Sequence, residues 1–465
     1  MNIRIMGAPK GGRVRAIPSK SAAHRIMIAA AMSGIDLSGH LDGLSKDITA
    51  TKECLLALTA ACRAARAGGE SSEPVKLPCG ESGSTLRFLI PLAGVLGADA
   101  DLYCEGRLPD RPMEPFLGPL KEHGCVVTGR DPKQLRGKLS GGDFRLPGNI
   151  SSQYVTGLLM ALPLAREDSR IIVEGTLQSR PYIDLTLEVL AKAGIRVTER
   201  RESGQTAMPE SGGPACTVFE IAGGQEYNLA EAELAGIEGD WSNGAFWLVM
   251  DAMNRRRGLD GIECSGLDPA SRQGDKAIVS LLDRMEAADT LVGNAVPGQM
   301  SAVNSPSERR SAASERGSAA AWYQPDISVA GRSGFVEIDV SDIPDLVPAI
   351  AVFAVSRPPG AVTHIIGGGR LRYKESDRLR TVTETLNALG AKIIEEKEGL
   401  MIPGSGKLYG GEVSSCTDHR IVMMAAAAAC ITEGEIVIRD ALAVEKSYPA
   451  FFEDYRMLGG SWEIV

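Results

Sequence analysis

The chain has 465 residues, of which 44% are hydrophobic and 23% are charged, as in an ordinary soluble globular protein. This length is too great for one compact core, so the sequence predicts two or three domains. The formal net charge of -9 argues against non-specific nucleic-acid binding, because a protein that neutralises many phosphates usually carries a net basic face.

Three features of the sequence indicate the cellular compartment of the protein. The first twenty residues lack the apolar core of a signal peptide. The longest uncharged apolar run, IVMMAAAAACI at 421–431, is much shorter than the roughly 20 residues that span a bilayer. The nine cysteines form no C-x-x-C pair and show no metal-ligand spacing, which favours reduced thiols. We therefore expect a cytoplasmic protein that binds neither membranes nor nucleic acid.

One pattern recurs along the chain: an amphipathic helix ends in a small residue, and a short β-like run follows. Clean copies end at Gly124, Gly194, Gly390 and Gly459, and weaker copies lie near Cys62 and Glu286. Glycine suits a left-handed helix end, and the runs that follow are rich in Val and Ile. The clean copies are about seventy residues apart in each half, which suits a small mixed α/β module. The pattern predicts six modules, three to a domain.

Two segments lengthen the spacing between the clean copies. Residues 202–215 and residues 296–322 both read as insertions. The second is rich in Ser, Ala, Gly and Pro and has little apolar content, so it is predicted to be a mobile surface loop.

In the first half, polar residues repeatedly precede apolar helices or form tight turns. PSKSAAHR begins at Pro18, GESGSTLR spans 80–87, and GRLPDRPMEP contains Arg111 in a proline-rich loop. SSQYVTGLLMA and SRPYIDLTLEVL begin two later helices. GESGSTLR fits neither the phosphate-loop nor the dinucleotide-binding glycine pattern. Each segment alone is explained about as well by helix caps and solvated cations.

The second half shows the same placement. RLRYKESDRLR at 370–380 would be a solvated helix face in isolation, and Asp345 would be a helix cap. CTDHR at 416–420 begins the most apolar helix, where a lone His is more often packed than a ligand, and VEKSYPAFF contains Lys446. Together, these helix starts would direct dipoles and free N–H groups at anions. The 370–380 segment would then supply cations, with Glu375 as a proton donor or acceptor.

The ordered segments from PSKSAAHR to VEKSYPAFF resemble the 5-enolpyruvylshikimate-3-phosphate synthase family over nearly the whole chain outside the two insertions. That family, by addition and elimination, joins phosphoenolpyruvate to the 5-hydroxyl of shikimate 3-phosphate and releases phosphate, a step of chorismate and aromatic amino acid biosynthesis. The resemblance implies no metal or organic cofactor, and we expect a monomer.

The resemblance also implies an α/β fold, a two-domain inside-out α/β barrel with three repeated βαβαββ-type units in each domain. The chain should cross between domains near Ser19 and near Gly236 to Gly239. The first domain would comprise residues 20–236 and bind mainly shikimate 3-phosphate. The second would combine residues 1–19 with residues 237–465 and carry the 296–322 insertion.

The family's site residues can be carried over by motif. The resemblance implies a shikimate 3-phosphate site formed by Lys20, Ser21, Arg25, Ser151, Ser152, Gln153, Ser179, Tyr182, Asp345 and Lys374. It implies a phosphoenolpyruvate site formed by Lys20, Gly83, Arg111, Gln153, Arg378, Arg420 and Lys446. The catalytic residues would be Asp345 at the 5-hydroxyl, Glu375 as the acid that protonates the methylene carbon, and Lys20 near both substrates.

Two positions depart from the family pattern, and two alternatives stay open. Glu81 and Arg370 stand where relatives often have Asn, so neither is assigned a contact. UDP-N-acetylglucosamine enolpyruvyl transferases share the fold and donor, but they typically have Lys-Asn in place of Lys20-Ser21 and a reactive Cys in the loop that here reads GRLPDRPME. A non-catalytic metabolite-binding homologue would not need both Asp345 and Glu375.

Overall fold

The computed structural model describes residues 1–41, 44–68, 73–149, 151–204, 213–292, 327–330 and 334–465. The predicted mobile loop at 296–322 lies outside these ranges. The ends of the other predicted insertion, 202–204 and 213–215, belong to two paired strands, and its middle is outside the described residues.

The chain alternates helices and strands. The helices are α1 (Lys20–Met32), α2 (Lys46–Arg66), α3 (Gly83–Leu96), α4 (Glu114–Glu122), α5 (Ser152–Ala161), α6 (Arg180–Lys192), α7 (Ala232–Ala235), α8 (Trp241–Arg256), α9 (Ile278–Asp289), α10 (Val347–Ser356), α11 (Arg378–Ala388), α12 (His419–Ala428) and α13 (Phe451–Met457). Short 3-10 helices at Gly274–Ala277, Pro344–Leu346, Gly369–Tyr373 and Ala441–Lys446 contribute to the site described below.

The strands are β1 (Ile3–Gly7), β2 (Gly12–Arg15), β3 (Val75–Gly80), β4 (Ala100–Cys104), β5 (Cys125–Thr128), β6 (Lys133–Gly137), β7 (Gly142–Pro147), β8 (Ser169–Glu174), β9 (Val197–Gly204), β10 (Gly213–Ile221), β11 (Ile262–Ser265), β12 (Ile327–Ala330), β13 (Phe335–Asp339), β14 (Val362–Ile366), β15 (Ile394–Glu395), β16 (Leu400–Pro403), β17 (Leu408–Ser414), β18 (Thr432–Arg439) and β19 (Ser461–Ile464).

Four sheets repeat one arrangement, in which two parallel strands are followed by two antiparallel ones. Their orders are β3-β4-β6-β5, β7-β8-β10-β9, β13-β14-β16-β15 with β12 added at its edge, and β17-β18-β1-β19. In each sheet a helix joins the two parallel strands and a second helix leads to the antiparallel pair. The predicted βαβαββ unit is therefore present four times among the residues that the structure describes.

The other two predicted units are reduced in the described part of the chain. β2 and β11 form a separate parallel pair that contacts α8, and no described strand lies between α1 and α2 in the chain. These are the regions where the sequence showed only weak copies of the repeat, near Cys62 in α2 and Glu286 in α9.

The first strand of the chain completes the last sheet. β1 lies between β18 and β19, so that Ile3 is paired with Ile438 on one side and Ile464 on the other. Residues 1–7 are thereby built into structure formed by residues 408–464.

The buried apolar side chains form two separate clusters. One contains residues between positions 22 and 234, and the other contains residues 3–14 together with residues between 241 and 458. The chain passes between the clusters at two adjacent places, where Ser19 N donates to Glu238 O at 2.8 Å and Asp240 N donates to Ile17 O at 2.8 Å. No helix among the described residues is long and apolar enough to cross a membrane.

Candidate active site

A cavity of about 450 Å³ lies between the two clusters and is lined by residues from both. The first turns of α1, α3 and α5 border it from one side. The 3-10 helices Pro344–Leu346 and Gly369–Tyr373 and the start of α12 border it from the other. Because several helices present their N-terminal ends here, their free N–H groups and dipoles favour bound anions.

Side-chain caps fix the starts of these helices. The caps are Ser19 on Ala22 N, Ser82 on Thr85 N, Ser151 on Gln153 N and Asp418 on Arg420 N. Each cap satisfies one N–H that the helix cannot bond internally. These residues therefore act as helix caps, as expected for each segment alone. They also orient the neighbouring side chains toward the cavity.

The cavity contains nearly all the residues predicted from the sequence. Those that line it are Lys20, Ser21, Arg25, Gly83, Arg111, Ser151, Ser152, Gln153, Ser179, Tyr182, Asp345, Lys374, Glu375 and Arg420. Arg378 and Lys446 lie behind this lining, held by carboxylates rather than facing the cavity. The roles assigned to all of them stay predictions.

The cavity lining is basic although the chain is acidic. Its cations are Lys20, Arg25, Arg87, Arg111, Arg370, Lys374 and Arg420, and its carboxylates are Asp47, Asp240, Asp345 and Glu375. Cations therefore outnumber carboxylates seven to four. A cavity with this excess suits small molecules that carry several negative charges.

Asp345 is held as a carboxylate by a ring of donors. Arg378 Nη1 lies 2.8 Å from its Oδ1, and Arg420 Nη2 and the Tyr182 hydroxyl each lie 3.2 Å from its Oδ2. Burial acts to raise the pKa of Asp345, but Arg420, Lys374 and Arg378 outweigh it and hold this pKa well below its usual value. Asp345 is thus an ionised group suited to accept a proton or hydrogen bond.

Glu375 shares the same guanidinium. Arg378 Nη2 donates to Glu375 Oε2 at 2.7 Å, and Arg378 Nε lies 3.0 Å from Asp418 Oδ2. Burial acts to raise the pKa of Glu375, but Arg378 and Arg111 outweigh it and hold the value well below normal. The three carboxylates use the N–H donors of Arg378, which explains why this fully buried side chain does not face the cavity.

Lys20 is bound by two carboxylates that sequence reasoning missed. Its Nζ lies 2.9 Å from Asp47 Oδ2, and its backbone N donates to Asp240 Oδ2 at 3.0 Å. Burial acts to lower the pKa of Lys20, and Arg420 acts in the same direction, yet Asp47 and Glu375 together outweigh them and the pKa is raised. The residue is therefore a charged ammonium at neutral pH.

Arg111 is positioned by a glycine. A Cβ atom at Gly83 would lie 2.5 Å from Arg111 Nη1, and Arg111 Nε donates to Tyr373 O at 3.1 Å. Burial lowers the pKa of Arg111 to about 10, with Arg87 acting in the same direction, so the guanidinium stays charged. Gln153 lies beside it and accepts from Arg87 Nη1 at 2.6 Å.

Several cavity residues were not predicted. They are Asp47, Ser84, Arg87, Phe88, Pro112, Pro115, Asn149, Tyr154, Asp240, Ser242, Arg370, Tyr373 and His419. Arg87 ends the quoted GESGSTLR segment and could have been found there. Asp47 and Asp240 reach the site only through the fold, since each bonds Lys20 from a distant part of the chain. His419 is nearly fully buried, as the packed interpretation expects, yet it borders the cavity.

The two residues that depart from the family pattern, Glu81 and Arg370, each contact a polar side chain. Glu81 Oε2 lies 2.6 Å from Lys446 Nζ, which also donates to Thr417 O at 2.7 Å. Arg370 Nη2 donates to Ser179 Oγ at 3.0 Å, a contact that the sequence did not assign. Glu81 therefore neutralises a predicted anion-binding lysine, and Arg370 adds a cation to the cavity wall.

Comparisons of the sequence with a family model and with individual relatives agree with each other. A family model for EPSP synthase (3-phosphoshikimate 1-carboxyvinyltransferase) matches residues 6–455. Over 460 residues the chain is 38% identical to the 3-phosphoshikimate 1-carboxyvinyltransferase of Clostridium kluyveri, covering 97% of this chain and 95% of the relative. Over 464 residues it is 35% identical to the enzyme of the same name from Clostridium perfringens, covering 97% and 96%.

Solved structures show the same fold. The EPSP synthase of Acinetobacter baumannii superposes with a TM-score of 0.65 at 19% identity, covering 99% of both chains. The enolpyruvyl transferase NikO of Streptomyces tendae superposes with a TM-score of 0.60 at 15% identity, covering 99% of this chain and 98% of that one. The predicted two-domain α/β fold is confirmed by these likenesses.

Proposed function

The chain belongs to the EPSP synthase (3-phosphoshikimate 1-carboxyvinyltransferase) family, and from this we propose how its own residues carry out the reaction. It is an enolpyruvyl transferase of the shikimate pathway. Its substrates are phosphoenolpyruvate and shikimate 3-phosphate. The observation that carries the assignment of roles is the pair of part-buried carboxylates, Asp345 and Glu375, which line a basic cavity and are joined by Arg378 behind it.

Both substrates carry several negative charges, and the cavity supplies matching cations. In the proposal, Lys20, Ser21, Arg25, Ser151, Ser152, Gln153, Ser179, Tyr182 and Lys374 bind shikimate 3-phosphate, and Lys20, Gly83, Arg111, Gln153 and Arg420 bind phosphoenolpyruvate. Arg378 and Lys446 lie behind the cavity lining. Arg378 orients the carboxylates of Asp345 and Glu375, and Lys446 binds Glu81, just before α3. Hydrogen bonds to charged groups contribute about 1.5–3 kcal/mol each, so a few of them account for micromolar binding after entropy losses.

The chemistry proceeds by addition and then elimination. Glu375 donates a proton to the methylene carbon of phosphoenolpyruvate, Asp345 accepts the proton of the 5-hydroxyl, and that oxygen bonds to the central carbon. The resulting tetrahedral intermediate then returns a proton from its methyl group to the ionised Glu375 as the carbon–oxygen bond to phosphate breaks. This step restores the double bond and releases phosphate. Each positioned proton transfer typically contributes about 10²–10⁴-fold to the rate.

The proposed roles place opposite demands on the two carboxyl groups. Asp345 must be ionised to accept a proton, which agrees with its low pKa. Glu375 must carry a proton, although Arg378 and Arg111 hold its pKa low. Bound phosphate and carboxylate groups would offset these cations, so we expect the pKa of Glu375 to rise when phosphoenolpyruvate binds.

We also propose that the two apolar clusters are the cores of two domains. The first would comprise residues 20–236, and the second residues 1–19 with residues 237–465. The two adjacent chain crossings at Ser19 and Asp240 support this division. The nine cysteines of the sequence form no C-x-x-C pair, which supports a reducing compartment such as the cytoplasm, and we expect the protein to be a monomer.

Phosphate release from the purified protein tests the assignment. Given phosphoenolpyruvate and shikimate 3-phosphate, the protein should release phosphate, and Asp345→Asn should greatly slow release. Given phosphoenolpyruvate and UDP-N-acetylglucosamine, it should release none. Release only with the second acceptor would favour the related transferase, and binding without release would favour a non-catalytic homologue.

A further inference from the structure

A buried carboxyl group that the proposed mechanism does not use lies directly behind Tyr182. Asp275 belongs to the 3-10 helix Gly274–Ala277 and is 4% exposed. Its Oδ2 lies 3.3 Å from the Tyr182 hydroxyl oxygen, and Asp345 Oδ2 lies 3.2 Å from the same oxygen. Asp275 Oδ1 is buried without a hydrogen-bond partner among the described residues. One hydroxyl from α6 therefore stands between two carboxyl groups of the other cluster.

The close approach of α6 to Asp275 depends on a glycine. A Cβ atom at Gly274 would lie 2.7 Å from Cγ of Pro181, in the first turn of α6. Tyr182 follows Pro181, so this contact brings the phenol and Asp275 together. The arrangement of hydroxyl and carboxyl groups is thus built into the backbone packing between the two clusters.

The Tyr182 hydroxyl has a single hydrogen, so it donates to one carboxylate at a time. If both Asp275 and Asp345 were ionised, one of them would face an oxygen lone pair without a donor. If Asp275 carries a proton, it donates to Tyr182 and Tyr182 donates to Asp345. Only this second arrangement places a hydrogen in both of the oxygen–oxygen contacts of Tyr182.

The surroundings separate the protonation states of the two carboxyl groups. Burial raises the pKa of Asp275 to about 7, and the Asp345 carboxylate acts in the same direction. Arg420 and the hydrogen bond from Tyr182 act to lower this pKa, and Asp240 acts to raise it. Asp345, by contrast, is held ionised by its cations, as described above. Two carboxyl groups that share one hydroxyl thus titrate in different ranges.

We propose that Asp275 is a positioning residue for enolpyruvyl transfer, which in its neutral form donates to Tyr182 and turns the Tyr182 hydroxyl toward Asp345. The inference rests on the proposed role of Asp345 as acceptor of the 5-hydroxyl proton. Below about pH 7 Asp275 is neutral and the chain of hydrogen bonds is complete. Above that pH Asp275 ionises and attracts the Tyr182 proton, and Asp345 loses a donor that orients it.

The test compares the pH dependence of the natural protein with that of Asp275→Asn, whose amide donates to Tyr182 at every pH and has nearly the same size. A one-proton titration near pH 7 reduces the neutral fraction of Asp275 about fivefold between pH 7 and pH 8. The ratio of kcat/KM for shikimate 3-phosphate, variant over natural protein, should therefore rise about fivefold over that interval. Titration of the substrate phosphates affects both proteins equally and cancels in this ratio.

Tyr182→Phe supplies the matched background, because it removes the hydroxyl through which Asp275 is proposed to act. In that background Asp275→Asn should leave the pH profile unchanged. Asp275→Ser, which also keeps a neutral donor, is the second variant if Asp275→Asn does not fold, and the same rise in the ratio is expected.

Two results would overturn the inference. One is a ratio that stays constant between pH 7 and pH 8, and the other is a pH-dependent ratio that persists in the Tyr182→Phe background. Failure of the proposed function is a separate result: the natural protein would then release no phosphate from phosphoenolpyruvate in the presence of shikimate 3-phosphate.

Discussion

Glu375 and Asp345 bind opposite nitrogens of one guanidinium, so a change at Glu375 can be made without moving Asp345. Glu375→Gln keeps the acceptor for Arg378 and removes the acid. We expect kcat to fall about 10²–10⁴-fold while the dissociation constants of both substrates change little. Steady-state kinetics and calorimetric titration measure the two quantities separately.

The control for this change is Glu384→Gln, on the exposed part of α11 near Arg380. It removes one carboxylate from the helix that begins three residues after Glu375, and it should leave kcat unchanged. Near-normal turnover in Glu375→Gln would remove Glu375 as the proton donor.

Gly83 leaves room for two guanidinium groups, because a Cβ atom there would lie 2.5 Å from Nη1 of Arg111 and 3.1 Å from Nη1 of Arg87. Gly83→Ala should displace Arg111 and weaken its contact with phosphoenolpyruvate. Loss of a hydrogen bond to a charged group costs about 1.5–3 kcal/mol, so KM for phosphoenolpyruvate should rise at least about tenfold.

Gly118 in α4 provides the comparison for Gly83. It also lies within a helix, but a Cβ atom there meets nothing within 4 Å, so Gly118→Ala should leave KM unchanged. An unaltered KM for phosphoenolpyruvate in Gly83→Ala would mean that Arg111 does not bind this substrate.

Individual cavity residues could be predicted where they stand beside a helix start. Ser21 and Gln153 are examples, because a cap and an apolar run mark their positions in the sequence. Asp47 also stands at a helix start, in the first turn of α2, but that position alone does not place it in the cavity. Only the packing of α2 against α1 brings its carboxylate to Lys20.

At the scale of elements, the 3-10 helix Ala441–Lys446 makes two ion pairs, one with Glu81 just before α3 and one with Lys46 at the start of α2. Lys446 Nζ lies 2.6 Å from Glu81 Oε2, and this lysine side chain is 9% exposed. Glu445 Oε2 lies 2.9 Å from Lys46 Nζ, which is 67% exposed. The two pairs have similar lengths and differ mainly in burial.

We expect Glu81→Gln to lower the free energy of unfolding by about 1–3 kcal/mol, because it leaves a buried ammonium without its carboxylate. Glu445→Gln should change it by less than about 1 kcal/mol, as is usual for exposed pairs. The midpoint of urea unfolding measures both changes. Equal effects would contradict a special role for the buried pair.

The helix ends were the most predictable elements. Gly124, Gly194, Gly390 and Gly459 all have positive φ, between 77° and 97°, as the left-handed helix-end prediction required. The pairing of β1 with β18 and β19 could not be predicted from the local pattern, because it joins positions more than 430 residues apart and depends on the sheet that the last unit leaves incomplete.

For the whole molecule, the contrast between an acidic chain and a basic cavity implies substrate binding that depends on salt. Raising the salt concentration from 0.1 M to 1 M shortens the screening length from about 10 Å to about 3 Å. The dissociation constant of shikimate 3-phosphate should then rise roughly threefold or more. Shikimate, which lacks the phosphate, is the control ligand and should show a smaller change. Equal salt dependence for the two ligands would contradict a phosphate-binding role for the cavity cations.

A two-domain fold was predictable from length and repeat count, but the position of the site between the two apolar clusters was not. Local patterns indicate that a helix start can bind an anion, and they do not indicate which helix starts face each other. That information is in contacts such as the one between Arg111 and Tyr373, which joins residues 262 positions apart.

The position of β1 has a consequence for how the chain can be rewired. Val465 N donates to Asn2 O at 3.1 Å, so a short glycine-rich tether can join these ends with little distortion. Opening the circle between Gly236 and Ile237 would give a circular permutant in which each cluster is encoded by one uninterrupted segment. The parts of the chain that form the two clusters would then be joined covalently at one point, between Ser19 and Lys20, instead of two. The activity of the permutant, compared with that of the natural protein, would measure how much the alignment of the two parts depends on the second covalent connection.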